Sequence, residues 1–272
     1  MSKTVSCVII VDTSYLVYHR YNATLTWYKF KCPEVDCPSL HTNNEFVEAF
    51  KKHLAADLTK LKKRWGSKQL VFCKDARRAT LWRTTLFPEY KGTRKSAATF
   101  NPEFFDIVYA FLDKEGYDTA WGDQLEADDV AYLYAKHISK SVGEDTPIVF
   151  VTGDCDYLQC RSDKWGVFTL KGDDMGKKSC GEPKKDLLKK IITGDKSDNI
   201  PPICRPMGPK LVDSLLAMSP VDFESWLAEK GDVVVERYKL NKTLIDWSCI
   251  PTEHCAINCC EKGVVKVVNC CV

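Results

Sequence analysis

Three short runs of uninterrupted apolar residues stand out along the chain: Val8-Ile9-Ile10-Val11, Leu70-Val71-Phe72-Cys73 and Ile148-Val149-Phe150-Val151. Runs of this length, bounded by polar residues, predict strands buried on both faces, as in a parallel sheet. Between them the apolar period lengthens. Phe46, Phe50, Leu54, Leu58, Leu61 and Trp65 recur at spacings of four and three, which predicts a core-facing helix capped by Thr42-Asn43 and stopped by Gly66-Ser67. Strand, helix and strand then form a β-α-β unit with Asp12 and Asp75 at equivalent ends. A further helix starts at Asn101-Pro102, carries Phe104, Phe105, Val108, Phe111 and Leu112, and stops at Gly116. Another starts near Gln124, with Leu125, Val130 and Leu133 turned inward.

From Lys184 onward the pattern is mostly helical: Leu187 to Ile192, Pro209 to Met218, Val221 to Leu227 and Val233 to Ile245. Pro201, Pro202, Pro206, Gly208 and Pro209 mark a tight non-helical turn between two of these helices, a geometry that can offer backbone amides to phosphates. The last stretch, Gly263 to Val272, alternates too little to assign, and a terminal strand remains one option. The chain thus reads as one large α/β domain with an appended helical portion.

Nine carboxylates fall where predicted strands end or helices begin: Asp12, Asp75, Glu126, Asp128, Asp129, Asp154, Asp156, Asp195 and Asp198. In an open α/β sheet, ligands bind beyond the carboxyl ends of the strands, so acids distant in sequence can converge there. Glu126 and Asp129 lie three apart on one helix face. Asp154 and Asp156 project the same way if the chain stays extended after its strand. So many negative charges share a pocket only when cations neutralise them, and the pattern therefore points to a divalent-metal enzyme.

Charge adds a second signal. Thirty-nine basic residues against 37 acidic give a net +2, but with the nine acids gathered in one pit the remaining surface is basic. Between Arg77 and Asn101, Arg77, Arg78, Arg83, Lys91, Arg94 and Lys95 interleave with Trp82, Phe87, Tyr90 and Phe100, which suits phosphate neutralisation and base stacking; an ordinary surface connection is the alternative. At 44% hydrophobic the chain is neither disordered nor fibrous. No apolar segment has the length of a membrane span or a signal core, so an intracellular, reducing compartment is expected: cytoplasm, nucleus or a viral factory. The 14 cysteines include two clusters, Cys32-Cys37-His41 and His254-Cys255-Cys259-Cys260-Cys270-Cys271. Neither has the paired spacing of a zinc site, and buried or idle thiols are expected.

Five motifs now form a recognisable series. They are Asp12 after its strand; Asp75 to Arg94, with Arg83 and Phe87-Pro88-Glu89-Tyr90-Lys91-Gly92-Thr93-Arg94; Glu126-Ala127-Asp128-Asp129-Val130; Thr152-Gly153-Asp154-Cys155-Asp156 with Gln159; and Gly194-Asp195-Lys196-Ser197-Asp198-Asn199-Ile200-Pro201. In order and spacing they closely resemble the flap endonuclease family, which includes bacteriophage 5′ nucleases and the 5′-nuclease domain of bacterial DNA polymerase I.

The resemblance implies a PIN-like fold: a mostly parallel central sheet flanked by helices, with a helical arch and a C-terminal helix-three-turn-helix duplex-binding region. The implied layout is a catalytic domain over residues 1–180 with its arch at about 77–101, the duplex-binding region over 181–250 and a Cys-rich tail over 251–272. It further implies a 5′-3′ exonuclease and structure-specific endonuclease of replication or repair. Its substrates would be branched, nicked or 5′-flap DNA and RNA-primed DNA. Asp12, Asp75, Glu126, Asp128 and Asp129 would serve one Mg²⁺ and Asp154, Asp156, Asp195 and Asp198 a second, with Mn²⁺ able to substitute. Lys91 and Arg94 would touch the scissile phosphate, and Asp154 and Asp195 would be indispensable to turnover. Arg20, Arg83, Tyr90, Lys95 and Lys210 would join Lys91 and Arg94 in contacting nucleic acid.

Three departures qualify this. His19 replaces the Arg usual seven residues after the first Asp, with Arg20 beside it. The segment between Arg94 and Phe104 is shorter than in phage enzymes, which argues against threading of a flap. The hairpin that cradles K⁺ in relatives has fewer glycines here, which weakens the case for K⁺ while leaving Lys210 to meet the duplex. A monomer working beside a separate DNA polymerase is expected. The alternatives are a catalytically inactive branched-DNA-binding module and a PIN-like ribonuclease.

Overall fold

The computed structural model describes residues 7–34, 37–94 and 100–270. A seven-stranded sheet forms its centre, in the order β5-β4-β1-β2-β3-β6-β7. The strands are β1 (Val8–Asp12), β2 (Gln69–Cys73), β3 (Asp118–Trp121), β4 (Ile148–Val151), β5 (Trp165–Phe168), β6 (Ala256–Glu261) and β7 (Val264–Asn269). The first five are mutually parallel, while β6 runs antiparallel to β3 and β7 antiparallel to β6. The expected mostly parallel α/β sheet flanked by helices is therefore present.

Burial on both faces explains the continuous apolar runs. Ile9, Val11, Leu70 and Phe72 pack beneath α1 (Thr13–Lys31), α2 (Asn44–Trp65) and α4 (Glu103–Lys114). Val8, Ile10, Val71, Cys73 and Phe150 face the other way, against α5 (Ala127–Ser141). Helix α2 follows its sequence: the Asn43 side chain accepts from Phe46 N at 3.0 Å, Phe46, Phe50, Leu54, Leu58 and Leu61 are buried, and Gly66 ends it with φ 60°. That left-handed cap is the conformation glycine adopts without a Cβ clash.

Some elements carry no readable signal. Helix α1 buries Thr13, Tyr21, Thr24 and Tyr28 along with Leu16, Val17 and Leu25 while exposing Phe30 (86%), so its buried face is mixed and does not read as an apolar stripe. Residues 256–269, within the expected Cys-rich tail, form instead a β-hairpin that extends the sheet, with Ile257 and Cys259 in the core and β7 largely exposed. Exposure of both faces of β7 explains its lack of alternation. Of the segment expected to form the arch, the described residues form a 3₁₀ turn at Arg78–Thr80, the five-residue α3 (Trp82–Leu86) and tight turns up to Arg94; residues 95–99, Lys95 among them, lie outside the described residues.

Helices α6 (Pro183–Thr193), α7 (Pro209–Ala217), α8 (Pro220–Glu229) and α9 (Asp232–Ile245) build a smaller core from Ile192, Ile203, Val212, Leu215, Phe223 and Leu227. Buried Asn241 on α9 donates to the carbonyls of Ile191 (3.0 Å) and Pro201 (2.8 Å), fixing α9 to both ends of the turn that follows α6. No helix among the described residues is long and apolar enough to cross a membrane.

Candidate metal centre

Strand β1 lies between β2 and β4, and the chain winds outward from it in both directions. The crevice at such a reversal is where α/β sheets bind ligands. Asp12 ends β1, Asp75 follows β2 and Asp154 follows β4; all three line a cavity of about 370 Å³ together with Asp128 and Glu126 from the start of α5.

Local bonds fix each acid. Asp12 caps α1, with Oδ1 accepting from Tyr15 N (3.0 Å) and Oδ2 from Thr152 Oγ1 (2.9 Å). Asp75 accepts from the Ser14 hydroxyl and, at 2.8 Å, from Ala127 N, so it tethers the end of β2 to the start of α5. Burial, with Asp75 and Asp154 adding repulsion, pushes the Asp12 carboxyl up to about 7. Burial also lifts Asp75, and it lifts Asp128 well above the ordinary carboxylate range with help from Asp129 and Glu126. Among the described residues no Lys or Arg pairs with Asp12, Asp75, Asp128 or Asp154 within 4.0 Å.

Glu126 and Asp129 are held differently. They share a capping box at the start of α5. Both Asp129 oxygens are engaged by Arg83, at 2.6 and 2.7 Å, and Trp82 Nε1 donates at 3.2 Å. Asp129, expected among the ligands, is wholly buried in this pair, so its charge is already compensated away from the cavity. Glu126 accepts from Arg83 (3.2 Å), Tyr90 OH (2.6 Å) and Lys91 Nζ.

A second group forms where α6 ends. Gly194 has φ 69°, and a Cβ there would sit 2.3 Å from the Ile200 carbonyl oxygen, so only glycine allows the turn into Asp195. Asp195 and Ile200 exchange backbone bonds of 2.8 and 2.7 Å. One oxygen each of Asp156, Asp195 and Asp198 lies within 4.8 Å of the others. The chain is not extended after β4: Asp154 caps a 3₁₀ turn, accepting from Asp156 N at 2.9 Å. Asp154 consequently joins the first cavity while Asp156 joins Asp195, a division that differs from the expected grouping.

Between the two groups stand the cations. Lys91 N donates to the Asp198 carbonyl at 2.9 Å and Asn199 Nδ2 to the Glu89 carbonyl at 2.9 Å, joining two loops. Lys91 adopts φ 55°, a conformation uncommon outside glycine, and its ammonium is directed to Glu126 with Asp198 at 3.8 Å. Burial would depress that ammonium, but Glu126 and Asp198 outweigh it and hold Lys91 above its ordinary value. Arg94 Nη2 bonds Asp198 at 2.5 Å, and its side chain is 48% exposed at the cavity rim.

Other expected nucleic-acid contacts fall elsewhere. Arg83 is 2% exposed and also donates to the Leu244 carbonyl at 2.7 Å. Tyr90 is buried, its hydroxyl spanning Glu126 and Asp198. Arg20 pairs with Asp57 between α1 and α2, so it braces the scaffold. Lys210 is exposed in the first turn of α7. Lys190, which pairs with Asp156 and Asp195, carries no signal in the sequence because it sits among Lys184, Lys185 and Lys189, a run with the composition of a solvated helix face.

A cavity lined by unpaired carboxylates, with the ionisation of Asp12, Asp75 and Asp128 suppressed, is suited to a cation, and its all-oxygen donors suit a hard divalent one. The two groupings whose ligand atoms lie within 4.8 Å of one another among the described residues are Glu126, Asp128 and Asp129, and Asp156, Asp195 and Asp198, with no Cys or His in either.

Residues 7–192 match the family described as 5′-3′ exonuclease, N-terminal resolvase-like domain. The chain belongs to that family. Its similarity to the thermostable DNA polymerase I of Thermus filiformis is 30% identity over 145 residues, covering 52% of this chain and 17% of the polymerase. The family fold is also that of the bacteriophage T5 enzyme. A structure of T5 flap endonuclease with DNA and metal ions matches at 20% identity and TM-score 0.62, covering 89% of each chain. A T5 structure with metal ions matches at 18% identity and TM-score 0.60, again covering 89% of each chain.

Proposed function

We propose that this protein is a structure-specific 5′ nuclease that hydrolyses phosphodiesters at 5′ flaps, nicks and RNA-primer junctions with two divalent ions, Mg²⁺ or Mn²⁺. The observation that carries the proposal is the cavity of unpaired acids with Lys91 and Arg94 at its edge. Family membership supports it, as does the likeness in fold to the T5 flap endonuclease, which was crystallised with DNA and metal ions.

Asp12, Asp75, Asp128 and Asp154 would hold one ion, and Asp156, Asp195 and Asp198 the other. Such ions activate a water and neutralise the phosphate during in-line displacement. Lys91 and Arg94 place positive charge where the phosphate gains negative charge. Glu126 and Asp198 aim those two cations, and Tyr90 fixes the spacing between Glu126 and Asp198. Exposed Lys196, Arg205 and Lys210, along and after the α6–α7 turn, would contact the duplex backbone without reading sequence. We further propose a monomer that works beside a separate polymerase.

The test is cleavage of a 5′-labelled flap and of an RNA-primed duplex. Short 5′ products are expected with Mg²⁺ and none with EDTA. Asp128→Ala should abolish cleavage while retaining binding, and Lys91→Ala should lower kcat by roughly 10²–10³-fold, the scale of losing one preorganised charge-stabilising donor. Binding without cleavage in both Mg²⁺ and Mn²⁺ would point to an inactive module. Preference for unpaired RNA would point to a ribonuclease.

A further inference from the structure

The two acidic groups differ in how their charge is met. Asp12, Asp75, Asp128 and Asp154 have no ion-pair partner among the described residues, whereas Asp156 and Asp195 share one. Lys190, in the last turn of α6, bonds Asp156 Oδ1 and sits 2.8 Å from Asp195 Oδ2. Its side chain is 23% exposed, so the ammonium has a route to solvent without α6 moving.

We propose that Lys190 is a built-in competitor for the second metal ion. Its ammonium holds Asp156 and Asp195 neutralised until a divalent ion displaces it, so the two ions load in order and with unequal affinity. The inference rests on the reading of both acidic groups as metal centres.

Two observations support competition over simple bracing. The ammonium engages one oxygen each of Asp156 and Asp195, two of the three acids in the second group. Asp195 has further support of its own: its Oδ1 accepts from Ser197 N (2.7 Å) and Ser197 Oγ (2.8 Å), and its backbone is tied to Ile200. Asp156 is likewise positioned by its backbone bond to Asp154. The Asp195 carboxylate and the Asp156 backbone thus keep their places when the lysine leaves, which a displaceable counter-ion requires.

Mn²⁺ binding to the full-length protein, read by the electron paramagnetic resonance of free Mn²⁺, tests this without any turnover. The wild type should show one tight and one weak class of site. Lys190→Met should tighten the weak class at least tenfold and leave the tight class within about twofold. Lys190→Arg, which keeps the cation, should leave both unchanged. Lys190→Gln, which retains length and polarity, serves if the methionine variant fails to fold and should also tighten the weak class. An unchanged or weakened second class in a folded Met or Gln variant, with the tight class intact, overturns the role of Lys190 alone. Absence of any Mn²⁺ binding to the wild type overturns the metal-centre reading and this inference together.

Discussion

Asp12 shows how a single residue joins scaffold and chemistry. It caps α1 through Tyr15 N, accepts from Thr152, and still faces the cavity. Burial and neighbouring acids raise its folded pKa to about 7, against roughly 4 in an unfolded chain. Below pH ~4 both states are protonated and the group contributes nothing; between about 4 and 7 only the folded state retains the proton. Stability of metal-free protein should therefore fall as pH rises through that window. Asp156, raised to about 6 chiefly by burial and then by Asp154, acts in the same direction, while Asp195 at about 2 matters only in stronger acid. Thermal unfolding in EDTA across that range should show Tm declining, with the decline reduced in Asp12→Asn and removed by Mn²⁺. A metal-free Tm that rises with pH and ignores Asp12→Asn would refute this. The positions of the acids were legible because strand ends are easy to read. Their partners were not: Arg83 and Tyr90 share the composition of an exposed basic-aromatic surface, and only burial tells a buttress from a contact.

At the scale of elements, Arg83 is the principal clamp. From α3 it reaches Asp129 and Glu126 at the start of α5 and the Leu244 carbonyl on α9, so it ties α3 to both the sheet layer and the C-terminal helices. Removing one partner of a buried ion pair strands the other charge and costs about 3–5 kcal/mol. Arg83→Met should lose stability on that scale in urea unfolding, and adding Asp129→Leu should restore part of it. A loss below about 1 kcal/mol would show that water reaches the pair. Elements with strong periodicity, such as α2 and α4, were read from sequence, whereas α1, β3, β5 and the β6–β7 hairpin were not. Helix α1 mixes threonines and tyrosines with Leu16, Val17 and Leu25 on its buried face, and β3 and β5 lack the continuous apolar run that marks β4, with Asp118 and Thr119 in one and Gly166 in the other. Register across the sheet, which decides whether the hairpin joins β3, has no local signature.

The whole molecule works through topology. Because the chain winds both ways from β1, the ends of β1, β2 and β4 meet in one crevice, and α5 brings two more acids to it. The turn after α6, which glycine alone permits, carries Asp195 and Asp198 beside Lys91 and Arg94 at the edge of that crevice. No local motif states that convergence; order and spacing along the chain imply it, and the fold completes it. The most direct measurement is an anomalous difference map from crystals of the protein soaked in Mn²⁺. The account predicts a peak within about 2.5 Å of oxygens from Asp12, Asp75, Asp128 or Asp154, the reach of hard-cation coordination by carboxylates. A map with that cavity empty at saturating Mn²⁺, or with ions bound only elsewhere, would contradict it.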